Sequence, residues 1–363
     1  MTIAEFFTKI LEISNENKYP DIHFGTGKKV IMRHHNGDLE TVETIEIDGA
    51  SIATPILSLE NIEEIITIIS EKEGLEKFRA NFELDTSYKY ENKARYRVNC
   101  YMDTNGYSIA MRIIPTEIPT LEDLGLGDTI KEMCNKNKGL ILVTGPTGSG
   151  KSTNLAAMID YINSNFKKHI ITVEDPVEFS FDSKKSLINQ RELGNHTKGF
   201  PEAIRAALRE DPDVIMVGEM RDPETIKAAI TLAETGHLVL STLHTNDTVQ
   251  SIDRIIDVFP SGQQEQIRMQ LALSLIGIVS QRLVPRCDKD GRIASREILI
   301  NNDAVRNLVI TGKTHQLYSV IEIGGKEGMI MMDKYLSILY KKGIIDKATL
   351  ESYARDKEGI YML

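Results

Sequence analysis

The sequence contains no run of about 18 consecutive apolar residues, so no membrane-spanning helix is expected. It also lacks the features of a secretory leader. The opening stretch, MTIAEFFTKILEISNENKYP, carries acidic side chains, no basic start and no small-residue cleavage site, so a signal peptide is not expected. Cysteine is scarce. Cys100, Cys134 and Cys287 are scattered and form no Cys-x-x-Cys pair, which excludes a disulfide framework, gives no support to a zinc site and suits a reducing cytosol. An excess of positive charge is missing too. A formal net charge of −10 is the wrong sign for a chain whose whole surface grips nucleic acid, and no stable nucleic-acid binding is expected, although a local basic groove stays open. Internal repeats and low-complexity tracts are absent.

What is present is an ordinary globular balance, 41% hydrophobic and 26% charged over 363 residues, a length that suggests two domains. Residues 1–115 read as a small α+β unit. Thr2 and Glu5 have capping-box spacing, and Ile3, Phe7 and Ile10 recur at helical intervals. A hairpin turn is expected at His35-Asn36-Gly37-Asp38, and a second helix over about 60–80. Two strands, ARYRVNCYM and YSIAMRIIP, then alternate around Asp103-Thr104-Asn105-Gly106. Alternation puts Tyr96, Val98, Cys100 and Met102 on one face and Arg95 and Arg97 on the other. On the second strand Ile109, Met111 and Ile113 oppose Arg112. Three arginines thus gather on the non-core face of one hairpin, where spacing alone favours a solvated face over a functional one.

Residues 116–122, within the Pro115- and Pro119-bearing stretch PTEIPTLEDLGL, are expected to link this unit to a second one over 123–363. There the pattern changes to short apolar runs alternating with longer helical ones. GLILVT (139–144), HIITV (169–173), DVIMVG (213–218) and HLVLSTL (237–243) have the look of buried parallel strands. Leu155, Met158, Ile159, Ile162 and Phe166 form a helical stripe, and Asp222-Pro223-Glu224 starts a further helix. This alternation implies a covered parallel sheet, and from about 261 onward the chain is expected to be mainly helical.

Chemistry concentrates at the ends of those strands. Gly145-Pro146-Thr147-Gly148-Ser149-Gly150-Lys151-Ser152 fits GxxxxGK[ST] in full, after a hydrophobic strand and before a helix. Such glycines permit a tight loop whose N–H groups converge on phosphate oxygens, aided by the helix N-terminus. Lys151 can reach the β- and γ-phosphates, and the Ser152 hydroxyl can hold Mg²⁺. Residues Thr147, Gly148, Ser149, Gly150, Lys151, Ser152 and Thr153 are the expected nucleotide contacts, with ATP and Mg²⁺ as ligands. A second strand delivers Glu219, placed to hold Mg²⁺ through water or to polarise the attacking water. A third leads into Glu174-Asp175-Pro176-Val177-Glu178, carboxylates suited to Mg²⁺ or to a general base; spacing does not choose between Glu174 and Glu178. A fourth ends in Ser241-Thr242-Leu243-His244-Thr245-Asn246, where His244 is either a γ-phosphate sensor or a structural histidine.

Together these motifs resemble the secretion ATPases of the type II/type IV pilus class. GPTGSGKST is similar to the family's Walker A motif, ITVEDPVEF to its Asp box, DVIMVGEMRD to its Walker B motif and TGHLVLSTLHTN to its His box. PDIHFGTG and FELDTSY…ARYRVN resemble its PAS-like N-terminal domain, and AVRNLV (304–309) resembles the AIRNLI segment of retraction motors. The resemblance covers nearly the whole chain. It implies an α/β fold, a RecA-like P-loop ATPase domain with a helical C-terminal subdomain after a smaller PAS-like α+β domain. It assigns Glu178 as general base, Glu219 and Ser152 to Mg²⁺, and His244 to the γ-phosphate; Glu174 and Asp175, from their place after the buried strand, are further candidate Mg²⁺ ligands. It turns Arg95, Arg97 and Arg112 into candidate arginine fingers, although the hairpin turn lacks the Arg that relatives often carry. The implied protein is a cytoplasmic homohexamer, peripheral to the inner membrane at a pilus base, which acts on the platform protein there and withdraws pilin. Extension motors usually add an N-terminal domain and a tetracysteine motif; neither is seen, which favours retraction. The alternatives are an assembly or type II secretion ATPase, an accessory paralogue of the retraction motor, or a RecA-type nucleic-acid motor.

Overall fold

The computed structural model describes all residues except 18, 35–37, 48, 92, 115–116, 358 and 363. The hairpin turn expected at 35–38 and the Pro115 end of the linker stretch therefore lie outside the described residues. The chain divides into two compact units, Met1–Glu117 with Glu178–Ser180, and Ile118–Val177 with Phe181–Leu363.

The first unit opens with helix α1 (Ile3–Glu16). Its start is the expected capping box: Glu5 N–H donates to Thr2 Oγ1 at 3.2 Å, and Thr2 N–H donates to the Glu5 carboxylate at 2.7 Å. Strands β1 (Asp21–Gly25), β2 (Ile31–Arg33) and β3 (Leu39–Thr41) follow, then a separate two-stranded pair, β4 (Thr44–Ile47) and β5 (Ala50–Ala53). Helix α2 (Leu59–Asn81) covers the stretch expected to be helical, interrupted at Glu71, whose φ of 60° lies in the left-handed region. Strands β6 (Glu83–Tyr90), β7 (Ala94–Asp103) and β8 (Gly106–Ile114) complete an antiparallel sheet of order β3-β2-β1-β8-β7-β6. Phe6, Phe7 and Ile10 of α1 and Ile62, Ile65 and Ile66 of α2 bury against Ile22, Phe24, Tyr96, Val98, Cys100, Ile109 and Met111 of the sheet. The alternation expected of β7 and β8 holds, except that Met102 is half exposed where the hairpin turns.

In the second unit, residues 120–126 are more ordered than a linker would be. Thr120 and Asp123 exchange capping hydrogen bonds, and Leu121 and Leu126 are buried with Ile130 and Met133 of α3 (Asp128–Cys134). Strand β9 (Gly139–Thr144), helix α4 (Lys151–Asn165), strands β10 (His169–Glu174) and β11 (Leu187–Glu192), helix α5 (Phe200–Ala207), strand β12 (Val214–Val217), helix α6 (Pro223–Glu234) and strand β13 (Leu238–Leu243) then alternate. Helices α7 (Thr248–Asp257) and α8 (Ser261–Ser274) precede two long strands, β14 (Leu275–Pro285) and β15 (Arg292–Ile300). The chain closes with α9 (Asp303–Ile310), α10 (Leu317–Ile323), α11 (Met332–Lys341) and α12 (Lys347–Tyr353).

The sheet order is β11-β10-β12-β13-β9-β14-β15, parallel apart from the antiparallel β14–β15 pair at one edge. The stretch from 261 onward is mainly helical, as expected, but the two long strands β14 and β15 within it were not foreseen. LIGIVSQRLV and RIASREILI enter the main sheet because their β-branched residues bury on both faces, while Ser280, Gln281, Ser295, Arg296 and Glu297 are buried polar groups with partners that break the apolar run. Buried side chains lie on both faces of the sheet, one set including Leu142, Val217 and Val239, the other Ile141, Val143 and Leu240.

Candidate functional site

The site grows from β9, which lies between β13 and β14 in the sheet. At its end the chain must turn back into α4 within residues 145–150, and the glycines make this possible. Gly145 has φ +148°, Gly148 +73° and Gly150 +86°. A Cβ on Gly145 would stand 2.2 Å from the Gln281 carbonyl, and one on Gly150 2.9 Å from Gln281 Nε2. Gly148 meets nothing within 4 Å, so its need for glycine is conformational alone. Gly150 is the N-cap of α4 and offers no side-chain acceptor, so the first N–H groups of the helix are left for an anion. Lys151, buried at 8% exposure, turns back over the loop and donates to the carbonyls of Gly145 and Pro146, each at 3.0 Å. Thr147 and Gly148 are exposed at the loop's crest, while Ser152 and Thr153 are half-buried in the first turn of α4.

Glu219 follows β12, next to β13 in the sheet, and its carboxylate is largely buried. It pairs with Arg221 and lies 3.5 Å from His244 Nε2. Burial, and then the Lys151 ammonium, push the His244 imidazole below its ordinary value, against the opposing pull of Glu219. His244 is therefore neutral at neutral pH and can donate one N–H to a phosphate oxygen. Thr242, on the same strand, fixes the β12 end by donating to the Gly218 carbonyl at 2.7 Å. Gly218 allows the close approach of β10: a Cβ there would meet the Val173 carbonyl at 3.2 Å.

Glu174 ends β10 in a buried position, 6% exposed, accepting from the Thr172 hydroxyl at 2.6 Å and from Gln190 Nε2 at 3.1 Å. Asp175 is exposed, and so is Glu178, which falls with the first unit in the division of the chain. The second unit thus brings together Lys151, Glu219 and His244, and places Glu174 one strand away. Arg95, Arg97 and Arg112 belong to the first unit. Arg97 and Arg112 are direct cross-strand partners on one face, two residues along from Arg95. Arg112 is engaged by Asp21, with Nε to Oδ1 at 2.6 Å, and Arg95 donates to the Ser87 hydroxyl at 3.2 Å.

Mg²⁺ fits the donor set. The Ser152 hydroxyl and the Glu219 carboxylate are hard oxygen donors, and this ion takes few protein ligands beside phosphate and water. Among the described residues no group of three or more His, Cys, Asp and Glu is placed to hold a metal by itself, so softer, all-protein ligation is not what this site offers.

Sequence reasoning missed a layer beneath the loop. Gln281 on β14 and Arg296 on β15 are each 2% exposed and contact the loop or each other. Burial pulls the Arg296 guanidinium below its usual value. A polar residue interrupting the β-branched run IGIVSQRLV was the available signal, and it is visible only once that run is taken as a strand. A groove of roughly 440 Å³ beside the loop, lined by residues 146–149 with Asn246, Arg282, Arg292 and Tyr353, was not foreseen either.

Comparison with known proteins agrees with this geometry. The family model described as "Type II/IV secretion system protein" matches residues 3–332. A "Twitching motility protein" of Neisseria gonorrhoeae is 46% identical over 86% of this chain and 84% of its own length. The "Type IV pilus retractation ATPase PilT" of Pseudomonas aeruginosa is 42% identical over 97% of this chain and 98% of its own length. A crystal structure of the pilus retraction motor PilT with bound ADP superposes with a TM-score of 0.86 at 40% identity, covering 98% of this chain and 99% of that one. A phosphate loop at the end of a central strand, an acidic strand end beside it and near-complete coverage by such relatives lead to one assignment: the chain belongs to the type II/IV secretion system protein family.

Proposed function

We infer that this protein is an ATP-hydrolysing motor that powers type IV pilus retraction. The observation that carries the reading is the convergence of Lys151, Glu219 and His244 at the mouth of a full phosphate loop, in a chain collinear with retraction ATPases. The protein is an ATPase, and its own groups suggest how hydrolysis proceeds. Loop N–H groups and the α4 N-terminus hold the β-phosphate, and Lys151 leaves the Gly145 and Pro146 carbonyls for the β/γ oxygens. Ser152 and Glu219 would hold Mg²⁺, which supplies charge neutralisation at the phosphates when bound. Neutral His244 donates to the γ-phosphate, while Glu178 takes the proton of the attacking water. Arg95, Arg97 and Arg112 add guanidinium donors at the transition state in the assembled motor.

On this reading the working form is a homohexamer at the cytoplasmic face of the inner membrane, engaging the pilus platform protein, with a PilU-like paralogue as a further partner. No helix among the described residues is long and apolar enough to cross a membrane, which fits peripheral attachment. The segment AVRNLV lies on α9, where Arg306 pairs with Asp303 at 2.6 Å and Asn307 is exposed. We assign it to coupling, since its sequence position is beyond the nucleotide motifs. Deletion of the gene is expected to leave pili assembled but to abolish twitching. Loss of pili themselves would point to an assembly ATPase, and loss of secretion to a type II system. Alanine at both Arg306 and Asn307 is expected to stop twitching while much ATP turnover remains; normal twitching in that strain would remove α9 from the coupling role.

A further inference from the structure

Gln281 touches the phosphate loop at three places. Its backbone carbonyl occupies the space a Cβ on Gly145 would need, and its amide nitrogen crowds Gly150 in the same way. That amide nitrogen also donates to the Ser149 carbonyl at 2.6 Å. Its Oε1 accepts from Asn154 Nδ2 of α4 at 2.8 Å and from Arg296 Nε at 2.7 Å. Arg296 continues outward, donating to the Leu124 carbonyl at 2.6 Å and the Gly125 carbonyl at 3.4 Å, with the Tyr335 hydroxyl also at 3.4 Å. Gln281, Arg296, Asn154 and Ser149 are all at most 2% exposed. Within this buried layer Ser149 Oγ and Asn154 Oδ1 have no hydrogen-bond partner among the described residues, in a chain whose other buried polar groups are mostly satisfied.

A buried guanidinium normally takes a carboxylate. Among the described residues Arg296 instead donates to neutral oxygens, those of Gln281, Leu124, Gly125 and Tyr335. That arrangement orients Gln281: with its Oε1 fixed by two donors, the amide nitrogen can only face the loop. Hydrophobic residues of similar volume would pack as well but would leave the Ser149 carbonyl unpaired. The polar layer is thus explained by loop geometry rather than by packing.

We propose that Gln281, oriented by Arg296, is a positioning residue for nucleotide: it sets the conformation of the phosphate loop from below and ties it to the turn at Leu124–Gly125. The proposal rests on the ATPase reading above and deepens it. Gln281 does not touch the nucleotide. It holds the Ser149–Gly150 peptide so that the following N–H groups converge on the β-phosphate, which ADP and ATP share. Its loss therefore removes binding common to ground and transition states, and KM should rise more than kcat falls.

The test uses the full chain with Gln281→Glu, which keeps the side chain's shape but points a carboxylate oxygen at the Ser149 carbonyl. ADP affinity and the KM for ATP are expected to weaken about tenfold or more, the scale of one unpaired buried hydrogen-bonding group. kcat at saturating ATP should change less, and the thermal midpoint should stay near that of the parent protein. If Gln281→Glu does not fold, Gln281→Met, of the same length and without hydrogen-bonding groups, is judged by the same criteria. Arg296→Lys, which keeps charge but loses the fork, should weaken ADP in the same direction, and combining it with Gln281→Met should add little. A folded Gln281 variant with ADP affinity and KM within twofold of the parent overturns the proposal. A parent protein that itself fails to bind ADP would instead overturn the ATPase reading, so the two failures are distinct.

Discussion

Lys151 of the second unit and Arg112 of the first are both cations assigned to phosphate, and the protein treats them differently. Lys151 is buried and rests on backbone carbonyls of its own loop. Arg112 is largely exposed and forked onto Asp21, which also pairs with Arg33 at 3.3 Å. A phosphate that takes over Lys151 must displace at least the two carbonyl hydrogen bonds, whereas one that takes over Arg112 must break its ion pair with Asp21. The loop cation is thus prepared for its anion by its surroundings. The hairpin arginines are organised as a face, with Arg97 directly across from Arg112, a like-charge placement that costs the sheet a little and that an anion would relieve.

The largest expected effect lies on the loop side of this comparison. Lys151→Ala should abolish measurable ATP turnover, a loss of at least ~10²–10³ in kcat by the scale of removing one preorganised donor at developing charge, with the fold kept. Turnover at the parent rate, measured by phosphate release, would dissolve the distinction between the two cations altogether.

Next come the carboxylates. Glu219→Ala and Glu178→Ala should each slow hydrolysis by ~10²–10⁴ while still binding ATP, as loss of a positioned base or metal ligand acts on the chemical step. Glu174 is the control, because it is buried and accepts hydrogen bonds from Thr172 and Gln190, whereas Glu178 is exposed. Glu174→Gln keeps those contacts and should retain most turnover. A dead Glu174→Gln beside an active Glu178→Ala would transfer the general base to Glu174.

How far sequence could reach is clearest at these same positions. The loop, the strand carrying Glu219 and the strand leading to His244 could be read directly, since each is a continuous apolar run ending in polar residues, which is what a parallel strand buried on both faces must look like. The arginine face was legible from period-two alternation. The strands β14 and β15 were not, because Ser280, Gln281, Arg296 and Glu297 interrupt their apolar pattern with polar groups whose partners come from distant segments. A hydrogen bond between residues more than a hundred positions apart leaves no period in the sequence. The pairing of Arg112 with Asp21 was hidden for the same reason, and it is what most changes the expectation for that arginine.

The arginine substitutions sharpen the comparison. Arg97→Ala and Arg112→Ala should each lower kcat by about tenfold or more, below the ~10³–10⁵ of a sole arginine finger because three guanidinium groups share the charge. Lysine at either position should restore little, lacking the fork of N–H donors. Arg97→Ala should leave thermal stability unchanged or slightly raised, since it removes a like charge opposite Arg112. Parent-like kcat in all three single alanine variants, measured on the assembled protein, would leave the hairpin as a solvated face.

The smallest effect expected is on pH dependence, and it follows from His244. Its ordinary value is 6.5, and in the folded protein burial first, then the Lys151 ammonium and Arg221, hold it lower, while Glu219 pulls it up. The unfolded chain therefore takes up a proton at a higher pH than the folded one. Stability contributed by neutral His244 is fully present above pH 6.5 and is lost as pH falls from there through the folded value, below which the loss is complete. One proton changes the folding equilibrium by at most about tenfold per pH unit, and an imidazole half open to solvent stays well under that limit. His244→Gln, which cannot titrate, should flatten the acid side of the stability profile by that small amount. The imidazole resonance of His244, followed by NMR, gives the more direct reading. A midpoint below 6.5 in the parent protein should rise when Lys151 is replaced by Met, because the neighbouring ammonium is one of its causes. A midpoint above 6.5 would mean that Glu219, not Lys151, governs the imidazole, and that His244 meets the γ-phosphate as a cation.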